Sequence, residues 1–167
     1  MTIAIGDRLP EVRVSEYIAT ETPGCTIGTN VFQVADLVKG KKIAIFAVPG
    51  AFTPTCSENH MPGYIKLADK FKAKGVDEIW CLSVNDAYVM GAWGRAQNAT
   101  GTLRMIADGG AALTKAMGLE FDLTKAGMGV RSQRYSMLVE DGVVKQLNVD
   151  AGGKLDVSSA EKLLEQI

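Results

Sequence analysis

Of the chain's three cysteines, Cys25, Cys56 and Cys81, one stands where a sulfur can do chemistry. The segment Pro49-Gly50-Ala51-Phe52-Thr53-Pro54-Thr55-Cys56 follows an unbroken apolar run, Ile43–Val48, that reads as a buried strand. Thr53 is a good helix N-cap, and Pro54 suits the first helical position, where its missing N–H costs nothing. Counting from there puts Cys56 at the third helical position. Its sulfur then lies beside unpaired backbone N–H groups and the positive end of the helix dipole, a place that favours the nucleophilic thiolate. The Thr53 hydroxyl can cap a backbone N–H or turn towards a small ligand at the sulfur, and Pro49 would shield the site from bulk water. The carboxyl end of a buried strand is also where open α/β sheets bind ligands. The bland alternative is a cysteine buried as one more small hydrophobe. A Cys-x-x-Cys redox site is disfavoured, because Thr53 stands where its first cysteine would be.

Other groups are weaker. His60 lies one helical turn beyond Cys56, on the same face. A Cys–His hydrolase dyad would need a third, orienting residue, and none stands out, so a structural or helix-capping histidine that shapes the pocket is the better reading. His60 is also the sole histidine and no cysteine pair has ligand spacing, which argues against a metal site. Gly127-Met128-Gly129 lacks the third glycine and preceding strand of a dinucleotide fingerprint.

The elements that must position Cys56 follow from apolar patterning. Ile79–Val84 and the shorter Leu103–Ala107 read as further buried strands, with helical stretches at Thr55–Lys74, Ala87–Asn98 and Ala111–Met117. Asp141-Gly142 between Tyr135–Glu140 and Val143–Val149 is a strong hairpin signal. Ser158 or Ser159 caps a last helix over Ala160–Ile167. Pro23-Gly24 and Gly28 suggest a turn-rich N-terminal hairpin, and Asp36-Leu37 a short helical turn ended by Gly40. The order predicts an α/β fold, a mixed central sheet flanked by helices.

Composition narrows the function. The 167 residues fit one domain, 1–167, and a net charge of −1 gives no field to draw the chain onto nucleic acid or an anionic membrane. No apolar run reaches the roughly 20 residues of a membrane span. Met1–Pro10 lacks the layout of a signal peptide, so a cytoplasmic location is expected. Three scattered cysteines do not make a disulfide framework and suit a reducing compartment.

Pro49-x-x-x-Thr53-x-x-Cys56 matches the active-site signature of the peroxiredoxins, and Pro-Gly-Ala-Phe-Thr-Pro-x-Cys-Ser closely resembles their type II, peroxiredoxin-5-like subfamily. The likeness runs along nearly the whole chain: His60 and Pro62, Cys81-Leu82-Ser83-Val84-Asn85-Asp86, Trp93-Gly94-Arg95-Ala96 and Arg134-Tyr135-Ser136-Met137 all resemble that subfamily, in the same order. The resemblance implies a thioredoxin-like fold with an extra N-terminal hairpin, and a thiol-dependent peroxidase acting on hydrogen peroxide and organic hydroperoxides. It implies that Cys56 is the nucleophile, that Thr53 orients the peroxide, that Pro49 screens the pocket and that Arg134 is the cation beside the thiolate. It implies no metal and no bound organic cofactor. Phe52, Met90 and Trp93 could all be core residues, but in the subfamily loops bearing such residues meet across a homodimer contact, so an interface is the better reading.

One departure matters. Some type II members carry a resolving cysteine before the last helix, and Asp150–Ser159 holds none. Cys81 is the remaining candidate, since other members of the subfamily have a cysteine at this position, but flanked by Trp80 and Leu82 in mid-strand it reads better as a buried structural thiol. Cys25, in a Pro-Gly turn, is expected to be exposed and without a role. The expected cycle therefore uses one cysteine and is closed by an external thiol, either glutathione with glutaredoxin or thioredoxin. The rival is a peroxide-sensing thioredoxin-like module, oxidised at Cys56 without sustained turnover.

Overall fold

The computed structural model describes all residues from Met1 to Ile167. The strands are β1 (Arg13–Ile18), β2 (Gly28–Gln33), β3 (Lys42–Val48), β4 (Glu78–Ser83), β5 (Arg104–Ala107), β6 (Glu120–Leu123), β7 (Gly129–Ser132), β8 (Arg134–Glu140) and β9 (Val143–Asp150). The helices are α1 (Val34–Val38), α2 (Met61–Lys66), α3 (Ala68–Ala73), α4 (Ala87–Ala96), α5 (Ala112–Ala116) and α6 (Ala160–Gln166). Seven strands form one mixed sheet in the order β2-β1-β5-β4-β3-β8-β9, while β6 and β7 make a separate two-stranded ribbon. This is the thioredoxin-like arrangement with an N-terminal hairpin, β1–β2, added at one edge through β5.

The central strands are buried on both faces, which is why they read as continuous apolar runs. Alternation along β3 sends Ala44, Phe46 and Val48 into one core layer and Ile43, Ile45 and Ala47 into the other. The helices α2, α3, α4 and α6 cover the first layer, which also holds Cys56 and Cys81. The second is closed by α1, α5 and residues near the N-terminus such as Ile3 and Leu9. Asp86 caps α4 by accepting from Val89 N–H at 2.9 Å, and Ser159 caps α6 by accepting from Lys162 N–H at 3.2 Å.

The stretch expected as one helix from Thr55 to Lys74 is three pieces. Helical geometry begins at Pro54, as the Thr53-Pro54 pair predicts, but Cys56–His60 widens into a π-turn in which Met61 N–H bonds the Cys56 carbonyl. Pro62 explains the widening, having no N–H to give the Glu58 carbonyl four residues back. A further break falls at Leu67 (φ −97°, ψ 6°). The ribbon β6–β7 was not expected at all; Gly127 lies in its turn and Gly129 opens β7, both in the left-handed region at φ 75° and 69°.

Three expectations fail on burial. Met90 and Trp93, placed at an interface by resemblance, are 0% exposed within this single chain. They point inward from α4 into the core, and the Trp93 indole N–H donates to Ser57 Oγ at 3.0 Å. Phe52 alone of the three is on the surface, at 57% exposed. Cys25 is half-buried rather than exposed, in a turn where its backbone and that of Thr22 bond each other.

Candidate active site

The end of β3 and the loop Pro49–Thr53 deliver Cys56 to the carboxyl edge of the sheet. Pro49 and Gly50 are buried, and the loop is tied to the end of β4. The Asn85 side-chain oxygen accepts from Ala51 N–H at 3.0 Å and from the Ser83 hydroxyl at 2.6 Å. Phe52 then adopts φ 61° in the left-handed region, a conformation that costs a residue with a Cβ roughly 1–2 kcal/mol. The chain makes this sharp step to bring Thr53 round to start the helix.

Thr53 caps with its backbone only. Its carbonyl accepts from Ser57 N–H at 3.0 Å, the first bond of the helix. Its hydroxyl does not cap; it donates back to the Gly50 carbonyl at 2.7 Å. Its lone pairs are thereby left open to a donor from a ligand. A Cβ at Gly50 would lie 3.1 Å from Thr53 Cγ2, 3.4 Å from Arg131 Nη1 and 3.4 Å from Met128 Cε, so the β6–β7 turn packs onto this loop. Sequence reading missed Ser83, Asn85, Met128 and Arg131 as supports of the loop. The side-chain bonds of Ser83 and Asn85 leave no periodic trace, and the ribbon is half-exposed and short.

Cys56 and Arg134 are 78 residues apart in sequence and meet in the fold. Arg134 opens β8, the antiparallel neighbour of β3, and is 2% exposed. Its Nη2 donates to Cys56 Sγ at 3.3 Å, its Nη1 to His60 Nδ1 at 2.9 Å and its Nε to the Gly153 carbonyl at 3.2 Å. None of the chain's ion pairs includes Arg134, so no carboxylate touches this buried guanidinium. A buried charge without a directly paired counter-charge is costly. The sulfur of Cys56, which is itself 0% exposed, is the atom that can supply one.

His60 is 1% exposed and packs 5.0 Å from the Phe46 ring and 5.7 Å from Tyr64. Burial, helped by the Arg134 charge and opposed by the Ser158 carbonyl, lowers its pKa to about 3. It is neutral at ordinary pH. Cys81, in mid-β4 and also 0% exposed, is a different kind of thiol: burial, and then the proximity of Cys56, push it well above the ordinary range.

Residues 4–164 match the family model described as Redoxin. Peroxiredoxin-2E-2, a chloroplastic protein of Oryza sativa subsp. japonica, is 46% identical over 169 residues, covering 99% of this chain and 73% of the rice protein. Reduced Prx3 from Vibrio vulnificus in complex with hydrogen peroxide is 52% identical, covers 99% of each chain and superposes with a TM-score of 0.90. A structure from Burkholderia cenocepacia, described provisionally as a thioredoxin reductase, is 52% identical, covers 100% of this chain and 99% of that one, and has a TM-score of 0.98.

Proposed function

This chain belongs to the redoxin family as a type II peroxiredoxin, and we propose that its peroxidase cycle runs through Cys56 alone and is completed by an external thiol. Peroxidase activity itself comes with the family. The observation that makes Cys56 the reacting thiol is the buried Arg134 guanidinium donating to its Sγ at 3.3 Å.

The thiolate attacks one oxygen of the hydroperoxide and the O–O bond breaks. Sulfur keeps that oxygen as a sulfenic acid, and the other leaves as hydroxide or alkoxide, which takes a proton to become water or an alcohol. Negative charge thus moves from sulfur to the leaving oxygen. Arg134 is placed to follow it, as are the first-turn N–H groups, and the Thr53 hydroxyl can accept from the peroxide O–H. Arginine suits the task because it stays protonated and presents a fixed fork of donors. Pro49, buried beside the loop, keeps bulk water from the sulfur.

An external thiol then attacks the sulfenic sulfur, releasing water and leaving a mixed disulfide that a second thiol reduces. Glutathione with glutaredoxin, or thioredoxin, fits this role. Cys81 does not. It is fully buried in a strand hydrogen-bonded in register to β3 on one side and β5 on the other, and burial holds its thiol protonated. Three unpaired cysteines support a cytoplasmic home. The reading also includes an isologous homodimer, with the exposed Phe52 at its contact.

A turnover assay with several hydroperoxides and thiol donors tests the reading. Many equivalents of peroxide per chain are expected with glutathione and glutaredoxin or with thioredoxin. Oxidation that stops after one equivalent with every donor would mark a sensor instead.

A further inference from the structure

An arginine has five N–H donors and no acceptor, so His60 Nδ1, 2.9 Å from Arg134 Nη1, must present a lone pair. A carbonyl has no donor, so His60 Nε2, 2.9 Å from the Ser158 oxygen, must carry the proton. One state satisfies both contacts: the neutral ring with its hydrogen on Nε2.

The Ser158 carbonyl is itself held. It also accepts from the Tyr64 hydroxyl at 3.0 Å, and its residue is clamped from behind by Asp150. That carboxylate accepts from Asp156 N–H at 3.1 Å, Val157 N–H at 2.9 Å, Ser158 N–H at 3.0 Å and the Ser158 hydroxyl at 2.6 Å. Burial works to raise the Asp150 pKa, but these donors outweigh it and hold the carboxyl below its usual range, so it stays ionised. A chain of hydrogen bonds thus runs from Asp150 through Ser158, His60 and Arg134 to the sulfur. His60 is shut away from any ligand, so its action must pass through the guanidinium.

We propose that His60 and Asp150 are positioning residues for the Cys56 reaction: Asp150 clamps the segment Asp156–Ser158, the Ser158 carbonyl fixes the His60 ring, and the ring's Nδ1 aims the Arg134 fork at the sulfur. Without the Nδ1 acceptor, the guanidinium keeps its charge but loses a point that sets its plane. The segment before α6, which holds no cysteine here, thereby serves the site from behind. This inference rests on the peroxidase reading only for its consequence; the aim of Arg134 can be measured without peroxide.

The two amide replacements separate the ring's two bonds. In His60→Asn the side-chain oxygen reaches where Nδ1 lay and keeps Arg134's acceptor. In His60→Gln the amide nitrogen reaches where Nε2 lay and keeps the Ser158 bond instead. The pH midpoint for alkylation of Cys56, measured in a Cys25→Ser background, is expected to stay near the parent value in His60→Asn. In His60→Gln it should rise by about one unit, with the rate constant for hydrogen peroxide falling about tenfold. Equal midpoints for Asn and Gln would overturn the positioning role, because a space-filling ring has no reason to prefer either. Asp150→Asn should raise the midpoint by a smaller amount, and an unchanged value would remove Asp150 from the chain. Should His60→Gln fail to fold, the nitrogen-15 spectrum of the parent protein decides. The chain has a single histidine, so its imidazole signals need no assignment by mutagenesis. They should report the neutral Nε2–H form at pH 6–8, and an Nδ1–H form would overturn the inference. Intact alkylation differences in a protein without peroxide turnover would sink the peroxidase reading and leave the positioning role standing.

Discussion

Cys56 and Cys81 are both fully buried and line the same core layer, yet their surroundings prescribe opposite chemistry. Cys81 sits between Trp80 and Leu82 in a strand paired on both edges, and burial holds its thiol protonated. Cys56 sits in a helical first turn, with an arginine donating to its sulfur. On the reading proposed above, exposure does not separate the reactive thiol from the inert one. What separates them is whether fixed donors point at the sulfur, because burial strengthens any charge–dipole contact that exists and penalises any charge that lacks one.

Replacing the sulfur itself has the largest expected effect. Cys56→Ser should abolish peroxide consumption in a coupled turnover assay, and substantial residual turnover would end the mechanism outright. The next largest effect comes from making the Cys56 region resemble that of Cys81. Arg134→Met removes the donor at 3.3 Å and should slow the reaction with peroxide on the order of a hundredfold, by analogy with the loss of one preorganised donor. Arg134→Lys should recover part of that rate, since charge returns without the fork. Stopped-flow rates that match the parent in Arg134→Met would erase the distinction drawn between the two cysteines.

Acid stability sharpens the comparison from another side. Burial lowers the folded pKa of His60 to about 3, from about 6.5 for a free imidazole. Between those values the unfolded chain binds a proton that the folded chain refuses, so stability rises with pH across that window and is lost as pH falls through it. Above pH 5 few carboxylates titrate, and His60 is the only histidine. The parent protein should lose roughly 2 kcal/mol between pH 6.5 and pH 5, while His60→Asn should be nearly flat there. Urea unfolding at the two pH values measures both; parallel losses would mean that His60 is not held neutral in the fold.

The smallest expected effect is that of Cys81→Ser, whose turnover should match the parent's. Mass spectrometry after one equivalent of peroxide should show sulfenic acid on Cys56, advancing to the irreversible sulfinic form with excess peroxide. A dominant Cys56–Cys81 disulfide would instead make the two thiols partners and overturn the one-cysteine cycle.

Much of the fold was legible because its signals are local. The runs Ile43–Val48 and Ile79–Val84 lie within a residue of the ends of β3 and β4, and Asp141-Gly142 marks the β8–β9 turn. Thr53-Pro54 announced the helix start. The π-turn and the break at Leu67 were not legible as such: the residues have ordinary helix preferences, and only the missing Pro62 N–H hints at a disturbance. The ribbon β6–β7 was hidden because short half-exposed strands give no unbroken apolar run. Met90 and Trp93 were misplaced because resemblance carries over a neighbourhood, and which face of α4 turns inward is a matter of packing.

For the site, the sequence alone determined that Cys56 opens a helix at the end of a buried strand, because cap, proline and apolar run are all contiguous with it. Patterning placed Arg134 at the start of another strand, and only the family resemblance joined the two. Their meeting depends on β8 pairing antiparallel with β3, which brings the start of one strand to the end of the other. The neutral state of His60 and the clamp of Asp150 on Ser158 depend likewise on burial and on contacts spanning many residues. Periodicity and capping act over one or two turns of chain, whereas a buried polar group takes its partner from whatever the fold brings within hydrogen-bond reach.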